Sequence, residues 1–177
     1  MKTRNTTLMK LVLAALFVAL GYVATIIIQI PTVTGYVNLG DCVVILCGFV
    51  LGPVYGFIAG GMGPALADLI SGYGYYVPGT FIIKGCVALI ACMILRAFYK
   101  KGKEPTIPCL IAATVPAEVF MALGYFAYKA TILKAGLGAA AGIPADLMQG
   151  LMGVIISVVL FRLLYRVPAL RERFWKG

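Results

Sequence analysis

The feature that most constrains how this chain folds is a succession of long apolar segments separated by short polar, glycine-rich or proline-rich breaks. A helix rises about 1.5 Å per residue and the hydrocarbon core of a bilayer is about 30 Å thick, so about 20 apolar residues can cross it. We therefore expect membrane-spanning helices rather than the core of a water-soluble domain. The segments cover approximately residues 11–28, 41–70, 79–98, 108–129 and 144–165.

The composition also excludes a water-soluble globular domain. Hydrophobic residues make up 62% of the 177 residues and charged residues 12%, against about 45–50% and about 25% in a typical soluble domain. These charged residues are too few to cover a soluble particle. The sequence thus predicts an all-α integral membrane protein that forms a single membrane domain over residues 1–177.

The break at Gly52-Pro53 decides the predicted number of helices, because glycine and proline together end one helix and begin another. Each half of segment 41–70 is short for a perpendicular span, so a second and a third helix, or one re-entrant hairpin, are both compatible with it. Either alternative returns the chain to the side it left. Counted as two helices, this segment predicts a six-transmembrane-helix bundle. The first segment has the basic front of a signal peptide but a longer apolar core, so we expect a retained helix.

The positions of the basic residues predict the orientation of that bundle. With six helices and a cytoplasmic N-terminus, twelve of the 15 Lys and Arg residues lie inside, Lys129 and Lys134 lie outside, and Lys84 lies within a helix. This agrees with the positive-inside rule, so we expect both termini to be cytoplasmic. The basic residues form no basic face with interleaved aromatic rings, so the net charge of +9 does not indicate a nucleic-acid partner.

Histidine and cysteine, which many catalytic and metal-binding sites require, are either absent or lack the spacing of such sites. Histidine is absent, which excludes His-assisted nucleophiles, HExxH zinc sites and imidazole proton relays. The five cysteines include no CxxC pair and lie in apolar runs, where a small side chain fills space. We expect no metal site, no bound cofactor and no enzymatic activity.

The ionisable residues inside the apolar segments are predicted to lie toward the outer side of the membrane. Asp41, Asp68 and Asp146 lie near outer helix ends, Lys84 is about one and a half turns into a helix, and Glu118 is near mid-membrane. A charge in hydrocarbon costs about 2.5–3.5 kcal/mol or more, so such groups face the interior, pair, or line a wet cavity. Their asymmetric placement favours a pocket that opens to the exterior.

Structural interpretations compete with this functional one. Lys84 could pair with Asp68 or Asp41 as a structural lock, and Tyr73, Tyr75 and Tyr76 could form an interfacial aromatic belt. Tyr36 and Asn38 could belong to turn chemistry in a loop, and Gly56 and Gly60 are best explained by close helix packing. Glu118 has no interface within reach, so a partner or ligand is favoured there.

The order of motifs resembles that of the substrate-binding S components of energy-coupling factor (ECF) vitamin transporters, and the resemblance covers nearly the whole chain. The motifs are YVNLGD at 36–41, LGPVYGFIAGGMGPALADLISGY at 51–73, PGTFIIKG at 78–85 and QGLMG at 149–153, after a helix with small residues. The resemblance implies a six-helix, multi-pass protein of the bacterial cell (inner) membrane. It further implies that such a protein captures a vitamin from outside in a pocket formed by the first outer loop and the outer parts of helices four to six.

The resemblance also implies partners. S components carry no ATPase and use a membrane T component with two ABC-type ATPases, so ATP is used by partner subunits. Ala-x3-Ala grooves on helix one contact the T component, which corresponds here to Ala15 and Ala19. The nearest branch is associated with vitamin B6-like pyridines or hydroxymethylpyrimidine.

We expect a small heteroaromatic ligand to stack on tyrosines and to hydrogen-bond polar side chains. Lys84, if partly neutral, could pair with a phenolate or react transiently with an aldehyde such as pyridoxal. The alternatives are a small membrane enzyme that uses Asp68, Asp146 and Glu118, or a membrane assembly or scaffold protein. The candidate substrate-binding residues are Tyr36, Asn38, Asp41, Asp68, Tyr76, Lys84, Glu118, Tyr125, Asp146 and Gln149.

Overall fold

The fold is a helical bundle with one short β-hairpin, seen in a computed structural model that describes residues 2–33, 35–98 and 104–167. The α-helices in the described ranges are α1 (Lys2–Ile27), α2 (Gly40–Ile70), α3 (Val77–Phe98), α4 (Ile107–Thr131) and α5 (Ile143–Tyr165). Two short 3₁₀ helices, Gly74–Tyr76 and Gly136–Gly142, directly precede α3 and α5.

Helix α2 doubles back on itself at the predicted break. Gly52 has φ 81° and ψ −173°, which no helix tolerates, and a residue with a Cβ is strained in that left-handed region. Beyond the turn the two halves run antiparallel, because a Cβ at Gly56 would lie 2.8 Å from the Cys47 carbonyl oxygen and one at Gly60 would lie 3.4 Å from Val44 Cγ1.

The helix count differs from the predicted six because both predicted helices of segment 41–70 belong to the folded-back α2. Within the described ranges, five helical stretches are long and apolar enough to cross a membrane, so the chain is a multi-pass membrane protein. Whether both halves of α2 cross the bilayer, and whether both termini are cytoplasmic, stay predictions. The stretches are Thr7–Ile27, Gly40–Ile70, Val77–Phe98, Ile107–Thr131 and Gly136–Tyr165.

Small residues let the helices pack closely around α2. A Cβ at Gly48 would overlap the Ala88 carbonyl oxygen of α3, and one at Gly63 would lie 2.8 Å from the Val18 carbonyl oxygen of α1. Contacts this short leave no room for a larger side chain. The packing interpretation of Gly56 and Gly60 is confirmed in the same way, because a Cβ at Gly60 would lie 2.9 Å from Ala88 Cβ and one at Gly56 would lie 2.8 Å from the Cys47 carbonyl oxygen. Helix α2 therefore occupies the centre of the bundle.

The stretch between the first two apolar segments, which the sequence predicts as an outer loop, contains a short antiparallel hairpin instead. Strand β1 (Gln29–Thr32) pairs with β2 (Gly35–Asn38), with Gln29 opposite Asn38. The loop prediction was wrong at this point because Pro31 and Gly35 are tolerated at the edge of a two-stranded ribbon. The hairpin lies at one end of the bundle, which we call the hairpin end, together with both ends of α2.

The opposite end of the bundle carries the described basic groups that the sequence assigns to the cytoplasm. A Cβ at Gly52 would lie 2.8 Å from Arg96 Nη2, so the Arg96 guanidinium rests against the turn of α2. At this same end of the helices, Arg162 forms an ion pair of 3.0 Å with Glu104. We call this the basic end.

Candidate functional site

A cavity opens at the hairpin end, where β2 and the ends of four helices converge. Its empty space is about 430 Å³ when the open mouth and the solvent in it are counted. We call it the inner cavity. Its lining residues are Thr32, Gly35, Tyr36, Asn38, Asp68, Tyr73, Tyr76, Thr80, Tyr125, Lys129, Asp146 and Gln149.

A second cavity adjoins the first toward the loops, and we call it the outer cavity. Its empty space is about 670 Å³, also counted to its open mouth, and its other walls are Val33, Tyr75, Leu133 and Ala135. The two cavities therefore share part of their walls, and we call them together the cleft. The shared lining residues are Thr32, Gly35, Tyr73, Tyr76 and Lys129.

Four tyrosines form a connected aromatic wall in the inner cavity. Ring centroids are 5.1 Å apart for Tyr36 and Tyr73, 6.3 Å for Tyr73 and Tyr76, and 6.4 Å for Tyr76 and Tyr125. Burial, and then the neighbouring Tyr75, raise the pKa of Tyr76 to about 12, so its phenol stays neutral at physiological pH. Such a wall offers flat apolar faces with polar tips.

Asp68 joins the aromatic wall to the helices through a chain of hydroxyl groups. The Tyr36 hydroxyl and the Thr80 hydroxyl both donate to its carboxylate, the latter over 2.5 Å, and the Tyr125 hydroxyl donates to Thr80 Oγ1 over 3.1 Å. Burial and the contact with Asp68 raise the pKa of Tyr36 well above the ordinary value for a phenol. Tyr36 therefore keeps its proton and remains a donor to Asp68.

The β-hairpin is fastened over the inner cavity at both of its ends. Gln29 Nε2 donates to Ser71 Oγ over 3.0 Å, and the backbone N–H of Asn38 donates to Gln149 Oε1 over 2.9 Å. With the bond from Tyr36 to Asp68, the hairpin is attached to α2 and α5 by three side-chain contacts. The hairpin is therefore held against the helix ends beside the open cavity.

An ion pair joins α4 to α5 in the wall of the inner cavity. Lys129 Nζ lies 2.9 Å from Asp146 Oδ2, and the same ammonium lies 5.7 Å from the centre of the Tyr125 ring. Both members of the pair line the inner cavity. A bound ligand with hydroxyl or ring-nitrogen groups would find a donor and an acceptor here.

Beneath the inner cavity lies a second polar group, formed by Asp41, Lys84 and Glu118, which we call the buried cluster. Lys84 Nζ donates to Asp41 Oδ1 in an ion pair that is almost completely buried, and Gln149 Nε2 donates to Asp41 Oδ2 over 2.7 Å. Lys84 Nζ also lies 2.9 Å from Met121 Sδ. Gln149 lines the inner cavity as well, so it connects the buried cluster to the cleft.

The structure divides the ten sequence-predicted site residues into two groups. Asp41, Lys84 and Glu118 lie in the buried cluster, whereas the other seven line the inner cavity. The open question of which carboxylate pairs with Lys84 is answered by Asp41. The seven lining residues are Tyr36, Asn38, Asp68, Tyr76, Tyr125, Asp146 and Gln149.

Sequence reasoning overlooked several residues of the cleft. The sequence favours an interfacial belt for Tyr73 and an external topology signal for Lys129, and it assigns no role to Thr80, yet all three line the inner cavity. A usable signal existed for Lys129, since it follows Tyr125 by four residues on α4 and so shares its helix face. Within the part of the chain described, no group of three or more Cys, Asp or Glu residues could hold a metal ion.

Comparisons with known proteins give a family assignment. The sequence model of the family described as "ECF-type riboflavin transporter, S component" matches residues 5–166. A protein of Pyrococcus woesei described as "Uncharacterized protein in gap 3'region" is 34% identical over 130 residues, which cover 73% of this chain and 82% of that relative.

We expect Lys84→Met to lower the stability of the protein by about 3–5 kcal/mol, because it leaves the Asp41 carboxylate buried without its cation. Lys84→Met combined with Asp41→Asn should recover much of that loss, since the net charge of the pair is again zero. Thermal unfolding in detergent micelles measures both effects. Lys10→Met on the exposed face of α1 is the matched control, and a Lys84→Met protein as stable as the wild type would contradict the structural role of the pair.

Proposed function

Because this chain belongs to the ECF-type riboflavin transporter S component family, we propose that it captures a flat heteroaromatic vitamin in the cleft at its hairpin end, with riboflavin as the first candidate. Members of this family are transport proteins rather than enzymes, and membership implies a vitamin ligand and an ECF module as partner. The specific ligand, the residues that bind it and the details of the partnership are proposals.

The observation that carries the proposal is the connected wall of four tyrosines beside unlike polar groups in one cleft. The isoalloxazine ring system of riboflavin is flat and carries carbonyl and N–H groups along one edge, and its ribityl chain carries hydroxyls. The tyrosine faces can stack on the isoalloxazine ring. Asn38, Asp68 and the Lys129–Asp146 pair can form hydrogen bonds with the polar edge of that ring and with the ribityl hydroxyls.

The shape of the cleft bears on the choice between riboflavin and a single-ring vitamin. A B6-like pyridine or a hydroxymethylpyrimidine, the ligands expected from the sequence, would need the inner cavity alone. The family description names riboflavin instead, and the inner cavity shares five of its lining residues with the outer cavity. A tricyclic ring with a polyol chain would extend from the inner cavity into the outer one, whereas the single-ring vitamins remain the second candidate because the polar groups concentrate in the inner cavity.

The distribution of charge supports an exterior location for the hairpin end. Arg96 and Arg162 lie at the basic end, which the positive-inside rule assigns to the cytoplasm. The cleft then faces the medium from which a vitamin is captured. Location in a bacterial cell membrane stays a prediction.

The partner surface that we propose is the exposed side of α1. Ala15 and Ala19 are both exposed there, and two small residues one turn apart permit close approach of another membrane helix. We propose that a T component packs on this surface and that two ABC-type ATPases supply the energy for uptake. The chain itself then needs no cofactor.

We expect the purified protein to bind riboflavin one to one and to quench its fluorescence, because tyrosine rings stack on the isoalloxazine. Tyr73→Leu should weaken binding roughly tenfold or more through loss of a stacking face. Ala135→Trp, which fills only the outer cavity, should weaken riboflavin binding but leave a single-ring ligand unaffected. Fluorescence titration measures riboflavin, and calorimetry measures pyridoxine and hydroxymethylpyrimidine.

Tyr22→Leu, a half-buried tyrosine of α1 outside the cleft, is the control for this series. Binding of pyridoxine or hydroxymethylpyrimidine without riboflavin would replace the first candidate with the second. If none of the three vitamins binds, the assignment of the cleft to this class of ligand is wrong.

We expect Ala15→Trp and Ala19→Trp to abolish assembly with the T component and vitamin uptake while leaving ligand binding unchanged, because a large ring blocks helix contact. Leu20→Trp, exposed on a different side of α1, is the matched control and should assemble normally. Co-purification with the ECF module and uptake of radiolabelled vitamin measure the two effects. Normal assembly of both alanine variants would move the partner surface elsewhere.

A further inference from the structure

Glu118 of α4 is a buried carboxyl group that the cleft does not use. Its side chain is 5% exposed, and neither carboxyl oxygen has a hydrogen-bond partner among the described residues. An ionised carboxylate so placed would bear the full cost of desolvation without compensation.

The neighbour of Glu118 is a second carboxylate, Asp41, and the nearby Lys84 is already paired with that carboxylate. The position that a Cβ at Gly153 would occupy lies 2.9 Å from Asp41 Cβ and 3.0 Å from Glu118 Oε1, so the two acidic side chains meet at the same place on α5. The titratable groups that interact with Glu118 are Asp41 and Cys42 on α2 and Lys84 on α3. From α5 the contacting positions are Gly150 and Gly153, which carry no charge.

The formal charges of the buried cluster do not balance if all three groups are ionised. Lys84 supplies one positive charge, and Asp41 already holds it in a direct ion pair. An ionised Glu118 would leave the cluster with one net negative charge inside the bundle, where neutralisation is the usual outcome. A single proton bound to Glu118 removes this excess negative charge.

We propose that Glu118 is a proton-binding site, and that the bound proton favours the attached position of the hairpin, in which the protein holds the ligand. A sodium ion fits the place less well, because it needs several oxygen ligands and the Lys84 ammonium lies nearby. The coupling to ligand binding rests on the function proposed above, whereas the proton site itself does not.

A short chain of contacts connects the proton site to the hairpin. Asp41 accepts a hydrogen bond from Gln149 Nε2, and Gln149 Oε1 accepts one from the backbone N–H of Asn38 in β2. If Glu118 loses its proton, it competes with Asp41 for Lys84, and the uncompensated charge favours detachment of the hairpin and entry of water. Ligand affinity then falls as pH rises through the ionisation of Glu118, because the hairpin stays attached in the protonated form.

The proton site is tested without any ligand by infrared spectroscopy of the purified protein at neutral pH. The carbonyl stretch of a protonated carboxyl group should be present in the wild type and reduced in Glu118→Gln, which keeps the shape but cannot ionise. Glu104→Gln, at the exposed ion pair of the basic end, is the matched control and should leave that band unchanged. A Glu118→Gln spectrum with the wild-type band, or a band that disappears when sodium chloride replaces choline chloride, would overturn the proposal.

The coupling is tested by the pH dependence of riboflavin affinity, below the pH at which riboflavin itself ionises. The wild-type dissociation constant should rise by up to about tenfold per pH unit above the transition, and Glu104→Gln should follow it. Glu118→Gln should hold its affinity over the same range. Equal profiles for the wild type and Glu118→Gln, or a flat wild-type profile, would overturn the coupling while the infrared result still decides the proton site.

Discussion

The interaction on which the rest of the structure depends is the buried ion pair between Asp41 and Lys84. Charges in the interior of a membrane bundle persist only when they neutralise one another and find further hydrogen bonds. Here the pair joins α2 to α3, and Gln149 adds α5 by donating to the second Asp41 oxygen. The convergence of three helices on one carboxylate forms the floor of the cleft.

The cleft exists because small residues bring the helices together elsewhere. Gly48 and Gly63 allow α3 and α1 to touch the backbone of α2, and the turn at Gly52 returns α2 to the hairpin end. Both ends of α2 therefore lie at the hairpin end, and so do Asp41 and Asp68. A pocket at the hairpin end, lined by acidic, amide and phenolic groups, follows from that path.

Much of this arrangement could be predicted from the sequence, because the cost of burying charge does not depend on the details of packing. Asp68 and Asp146 could be assigned to a pocket by depth alone, and the break at Gly52-Pro53 could be located by its turn chemistry. The sequence could not predict which polar groups line the cavity and which form ion pairs with each other outside it. Asp41 and Lys84 satisfy each other below the cavity, whereas Lys129, read as a loop charge, folds inward to Asp146.

The β-hairpin and its contacts with the cavity residues also could not be predicted from the sequence. Four-residue strands carry too short an alternating pattern to distinguish them from a loop with proline and glycine. Their pairing is fixed instead by tertiary contacts, such as the bond from Tyr36 to Asp68 and that from Asn38 to Gln149. The same contacts give Tyr36 its place in the aromatic wall.

The central claim is that the polar cleft at the hairpin end exists to hold a vitamin taken from outside. Mass spectrometry of the small molecules retained by the detergent-purified protein tests this most directly, because it requires no choice of ligand beforehand. The account predicts one heteroaromatic vitamin, riboflavin first, in near one-to-one amount, and a smaller retained amount in a variant in which Tyr73 is replaced by leucine. A protein that retains only lipid, or retains the compound in an unchanged amount after that substitution, would contradict the account.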